Sequence, residues 1–167
     1  AALPWQLQAR AWLPAGEALA RRAALLAQVA DLPYAMCVPF GREPQETVGV
    51  WLRAASAEPL PVERLQRLEA LLGLAGPDVL RYEDARAGQR RTLRAARAGD
   101  ATRVEAFLLA GDVRAAGWIG ALLVERADAD ADGRALLAGN AQAPAAMAPR
   151  GAQVCSCFDV TAPQIEA

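Results

Sequence analysis

The chain has 167 residues, enough for one domain or one domain with an appendage, and a chain of that length can bury roughly 70% of its unfolded surface. With 18 basic and 19 acidic residues the net charge is −1, so no bulk field draws nucleic acid or a membrane surface. Histidine is absent, which removes Ser-His-Asp and Cys-His chemistry, and no apolar run reaches the ~18 residues of a membrane span.

Every basic residue is arginine, which together with the alanine content reads as the imprint of a GC-rich genome rather than a phosphate-binding surface. The opening Ala1-Ala2-Leu3-Pro4-Trp5 has neither an initiator methionine nor a signal peptide, as expected of a piece of a longer protein. Three cysteines without framework spacing suggest a reducing compartment.

Pro14 to Ala30 reads as a helix. Pro14 suits its first turn, and Leu19, Leu25, Leu26 and Val29 fall near one face. Asp31-Leu32-Pro33 breaks the pattern. Tyr34 to Phe40 fits a strand, Gly41-Arg42-Glu43-Pro44 a turn, and Thr47 to Arg53 a second strand with Val48, Val50 and Leu52 opposite Thr47 and Trp51. Pro61 to Leu74 is a helix with the stripe Leu65, Leu68, Leu71 and Leu72, closed by Gly73 and Gly76-Pro77.

A meander follows. Val79 to Glu83, Gln89 to Arg97 and Arg103 to Ala110 are strands, joined by Asp84-Ala85-Arg86-Ala87-Gly88 and Ala98-Gly99-Asp100-Ala101. Turns this short imply antiparallel pairing. A helix from Val113 to Arg126 carries Trp118, Ile119, Leu122 and Leu123, with Asp112 as the expected N-cap, and a short helical piece lies near Arg134 to Ala138. Asn140 to Arg150 is an Ala/Pro-rich linker. The expected fold is α+β: an antiparallel strand meander packed with several helices, then an extended Ala/Pro-rich tail. Residues 1–139 form the α+β domain, with a helix/strand/helix part at 1–78 and the meander plus helices at 79–139. Residues 140–152 are the linker and 153–167 the start of a further unit. The tail after Pro149 is expected to be extended or held by a neighbour.

Cys155 and Cys157 are the most informative residues. They stand in Val154-Cys155-Ser156-Cys157-Phe158-Asp159-Val160, ahead of Thr161, which would cap a new helix. Read alone, the pair is either two small apolar residues without a role or half of a ligand set, because thiolate sites for zinc or an iron–sulfur cluster use four ligands. A disulfide between positions i and i+2 would be strained. Thiols in a loop at a helix N-terminus would have their thiolate form stabilised by backbone N–H groups.

Other features have plainer readings. Asp128-Ala129-Asp130-Ala131-Asp132-Gly133 opens like a calcium loop, but Gly139 stands where a bidentate Glu belongs, which favours a solvated loop. Arg86, Arg90, Arg91, Arg94, Arg97 and Arg103 read as a solvated sheet face, or else as a surface for an acidic partner. Trp5, Trp12, Trp51 and Trp118 read as core or interface anchors, and Cys37 as buried and inert.

The segment Val154–Val160 with its Thr-opened helix resembles the first half of the bacterioferritin-associated-ferredoxin-type [2Fe–2S] domain. In that family Cys-x-Cys-Phe-x-Val is followed, about thirty residues on, by a Cys-x-x-Cys pair that completes the four thiolates. Cys155 and Cys157 match the first two ligands, and the second pair has no counterpart in this chain. Leu136-Leu137-Ala138-Gly139 with the linker, Arg81-Tyr82-Glu83-Asp84-Ala85-Arg86-Ala87-Gly88-Gln89-Arg90-Arg91, and Arg103 to Asp112 resemble the C-terminal region of bacterial assimilatory nitrate reductases, molybdopterin oxidoreductases. The resemblance covers residues 79–167, and more loosely 1–78.

The resemblance implies a cytoplasmic parent that reduces nitrate to nitrite. Its molybdopterin, molybdenum and [4Fe–4S] cluster would lie N-terminal to this chain, and its [2Fe–2S] domain would take electrons from a ferredoxin or a flavin reductase. This chain would then contain no catalytic residue. Cys155 and Cys157 would bind iron of the [2Fe–2S] cluster only in a longer chain, and the partner would be the catalytic molybdopterin domain of the same polypeptide. The alternative is a structural or docking module of a molybdoenzyme that binds a redox partner and has no cluster role. Neither reading involves nucleic acid or a membrane.

Overall fold

A computed structural model describes residues 3–41, 46–130, 133–138, 153–155 and 160–161. The described elements are β1 (Trp5–Pro14), α1 (Ala15–Val29), β2 (Tyr34–Phe40), β3 (Thr47–Ser56), α2 (Val62–Leu71), β4 (Val79–Asp84), β5 (Gln89–Ala98), β6 (Ala101–Ala110), α3 (Ala116–Glu125), α4 (Gly133–Ala138), β7 (Gln153–Cys155) and β8 (Val160–Thr161). The fold is α+β. The first six strands form one sheet in the order β2-β3-β1-β6-β5-β4, and every pair is antiparallel.

The sheet is built around a strand that the periodicity reading passes over. β1 precedes the first expected helix and lies between β3 and β6, joining the strand pair of residues 1–78 to the meander of residues 79–139. Its alternation is strict. Leu7, Ala9, Ala11 and Leu13 are 0–1% exposed and belong to one core, while Arg10 and Trp12 point to the other. Alanines at Ala9 and Ala11 make this centre thin, which lets α1 approach the sheet.

The two faces carry separate cores. On one, Leu25 and Val29 of α1 and Leu65 and Leu68 of α2, with Leu72 and Leu74 beyond it, meet Leu7, Val50, Leu52 and Leu108. On the other, Trp118, Ile119, Leu122 and Leu123 of α3 and Leu136 of α4 meet Phe40, Trp51, Leu93, Phe107 and Leu109. The expected stripe of α1 holds at Leu25 and Val29 but fails at Leu19 and at Leu26, which is 40% exposed. Leu19 is 73% exposed, and Ala18 takes the inward position with Leu25 and Val29. The stripe of α2 holds at Leu65, Leu68 and Leu72, with Leu71 half-buried.

One boundary of α3 also differs. α3 begins after Ala115, which makes no side-chain cap. Asp112, the expected N-cap, instead folds the preceding turn, where Oδ1 accepts the Arg114 N–H at 3.1 Å and the carboxylate pairs with the Arg114 guanidinium at 2.9 Å. α3 ends on Arg126 in the left-handed region (φ 50°), with the Arg126 and Ala127 N–H groups returning to Leu123 and Leu122 carbonyls. No helix among the described residues is long and apolar enough to cross a membrane.

Candidate functional site

Cys155 is the last residue of β7 and pairs with Val160 of β8 in a separate two-stranded sheet. Cys157 lies outside the described residues. Thr161 ends β8, and the helix it is expected to cap also lies outside the described residues, as does the linker at 140–152. A Cys-x-Cys pair offers two thiolate donors. A [2Fe–2S] cluster takes four, so the pair by itself does not complete such a site. Among the described residues no group of three or more His, Cys, Asp or Glu side chains is placed to hold a metal ion.

Cys37 sits on β2 and packs against the α1-side core. It is half-buried rather than fully buried, and loss of water around the thiol pushes its pKa up to about 11. The thiolate is the nucleophile and the ligand, so this environment holds Cys37 in its unreactive form.

The meander arginines do not form a solvated face. Arg90 and Arg91 are 4% and 7% exposed, because helices cover both faces of β5. Arg90 Nε donates to Glu69 Oε1 on α2, and its Nη1 donates to Glu83 Oε2 at 3.1 Å. Glu69 Oε2 accepts from Arg81 Nη2 at 2.9 Å. Glu69 is 1% exposed and sits within the apolar stripe of α2. A buried carboxylate there requires a cationic partner, which Arg90 supplies in the interior and Arg81 supplements from the more exposed side. Arg91 points to the other face and stacks on Tyr82, with its guanidinium carbon 4.3 Å from the ring centroid. Arg86 and Arg97 are exposed, and Arg94 and Arg103 are half-buried.

The aspartate run has a structural use in its first half. Asp128 Oδ1 accepts the N–H groups of Thr102 at 2.9 Å and Asp130 at 3.1 Å. Those backbone donors hold the Asp128 carboxyl below its usual range. Asp130 Oδ1 accepts from Arg97 Nη1 and from Thr102 Oγ1. Both carboxylates thus clamp the loop after α3 onto the start of β6. Asp132 lies outside the described residues.

The tryptophans are anchors. Trp5, Trp51 and Trp118 are 5–7% exposed. Trp5 Nε1 donates to the Gly88 carbonyl at 3.0 Å, tying β1 to the β4–β5 turn. Trp12 Nε1 donates to the Leu123 carbonyl at 2.9 Å, tying β1 to α3. A ladder of cations and rings crosses this face. Arg126 lies over Trp12, Trp12 meets Phe40 edge-on, and Arg10 lies over both Phe40 and Trp51. Glu69 and Arg10 escape sequence reading because each looks like a surface residue. Their signal is a charge at an inward position of an otherwise regular pattern.

No family model, no curated protein and no solved structure matches the chain.

Proposed function

We propose that this chain is the C-terminal region of a nitrate reductase of the molybdopterin class, a part that serves electron entry and does not itself reduce nitrate. Residues 1–139 are its α+β body, 140–152 a tether, and 153–167 the opening of a [2Fe–2S] domain. The observation that carries the reading is the order of signatures along one chain: the Arg81–Arg91 hairpin, the helix bearing Trp118, the Ala/Pro-rich segment, then Cys155-Ser156-Cys157-Phe158. In the parent, Cys155 and Cys157 supply two thiolates and a later Cys-x-x-Cys the other two. When bound, such a cluster supplies one-electron transfer. Residues 139–152, fully extended, reach at most roughly 50 Å, so the cluster domain stays within a short radius of the body. The catalytic molybdopterin domain, with its molybdenum and [4Fe–4S] cluster, is the partner in the same polypeptide. A ferredoxin or a flavin reductase is the donor, and the setting is cytoplasmic.

The test is turnover of the parent holoenzyme truncated before Gln153. Nitrate reduction should be lost with a protein donor and retained with a small reduced viologen that reaches the catalytic domain directly. Equal turnover with the protein donor before and after truncation would remove the electron-entry role.

A further inference from the structure

The two outer strands of the sheet are treated differently by the sequence. β2 carries Pro39, which cannot donate a backbone hydrogen bond and so blunts that edge. β4, Val79-Leu80-Arg81-Tyr82-Glu83-Asp84, has no proline and, among the described residues, pairs in unbroken register with β5 on one side alone. Leu80 and Tyr82 on this strand are 45% and 40% exposed, two of the large apolar side chains left open to solvent. Arg81 and Glu83 point to the opposite face and keep side-chain exposures of 40% and 41% despite their inner ion pairs. An edge of this kind is a template for another strand.

The geometry points to a second copy of this chain as its occupant, with two β4 strands pairing antiparallel about a two-fold axis at Tyr82. The register follows from backbone alternation. Successive residues turn their N–H and C=O groups alternately toward β5 and outward, so a residue can only face one of the same parity. A two-fold axis must therefore fall on a residue. Centring on Arg81 or on Glu83 sets like charges directly opposite each other, which is destabilising. Centring on Leu80 leaves only a short overlap. Centring on Tyr82 pairs Leu80 with Asp84 and Arg81 with Glu83, each twice by symmetry, and stacks the two Tyr82 rings at the axis. The strand is thus complementary in charge to itself in the longest overlap free of like-charge pairs, and the result is one sheet continuous across two copies. The contact is small, so it forms a concentration-dependent dimer. It is independent of the electron-entry reading.

Sedimentation equilibrium of this chain across a thousandfold concentration range should show monomer passing to dimer. Tyr82→Lys, which sets two ammonium groups at the axis, should hold the protein at monomer mass while far-ultraviolet circular dichroism shows it folded. Register is read in a background with Cys37, Cys155 and Cys157 replaced by serine. Tyr82→Cys should be cross-linked by a short bis-maleimide. Leu80→Cys should not be, because its symmetry mate lies four residues along the ladder, about 13 Å away. A monomer at every concentration, a dimer that survives Tyr82→Lys, or equal cross-linking at both positions would overturn the proposal.

Discussion

Glu69 of α2 and Arg90 of β5 meet between helix and sheet with side-chain exposures of 1% and 4%, Glu69 Oε1 accepting the Arg90 Nε–H. This contact clamps α2 onto the meander. Glu69→Ala leaves the Arg90 guanidinium buried with Glu83 as its remaining partner. The expected loss is about 3–5 kcal/mol of unfolding free energy, read from the denaturant midpoint. Arg81→Ala removes the more exposed partner of Glu69, 40% open to solvent, and is expected to cost only about 0.5–1 kcal/mol. Equal losses in the two variants would mean that the buried pair is not the clamp.

Much of the element order is legible in the sequence, and the reasons for the exceptions are physical. Leucine spacing finds α1 and α2, and short glycine turns find β4, β5 and β6, because each signal is local. β1 is missed although Gln6, Gln8 and Arg10 alternate with Leu7, Ala9 and Ala11. Alanines give a weak apolar stripe, and only pairing with the distant β3 and β6 makes the strand. The same non-local cause inverts the reading of Arg90 and Arg91. Arginine in a meander looks solvated until α2 on one face and α3 with α4 on the other close over β5. Of the cysteine pair, the sequence offers the ligand type and spacing, and the structure adds that Cys155 ends β7 opposite Val160 of β8.

Gly49 of β3 faces the Phe40 ring so closely that an added Cβ would lie 2.5 Å from it. Gly49→Ala should cost about 1–3 kcal/mol through overpacking, and Gly49→Ala with Phe40→Leu should recover part of that loss. No recovery in the double variant would show that the ring is not the obstacle.

Arg126 closes α3 in the left-handed region, lies 4.1 Å from the Trp12 ring centroid and donates to Thr47 Oγ1 at 3.0 Å. Arg126→Ala keeps the backbone strain and loses both contacts, for an expected loss of about 1–2 kcal/mol. Arg126→Gly loses the same contacts but relieves the strain. It should therefore be the more stable of the two in thermal melts.

Stability should fall at both ends of the pH scale. Asp31, Asp112 and Asp128 are held below the usual carboxylate range, chiefly by the Arg64 side chain, the Arg114 side chain and the Thr102 N–H respectively. Each contributes stability that is complete above its unfolded pKa near 3.8 and is lost as pH drops through its lower folded value. Replacing all three with Asn should flatten the acid limb. At the alkaline end, burial raises Cys37 from 9.0 to about 11. Its contribution is complete below 9.0, is lost as pH rises toward 11, and should vanish in Cys37→Ala.

The most direct measurement is the iron content and the reduced-state EPR spectrum of a chain extended through the Cys-x-x-Cys pair that the proposed parent would carry, purified without oxygen. A [2Fe–2S] signal should be present in the unaltered protein and in Cys37→Ser, and absent in Cys155→Ser and in Cys157→Ser. A colourless, iron-free protein with every cysteine in place, or a signal that survives loss of Cys155 and Cys157 together, would contradict the proposed electron-entry role.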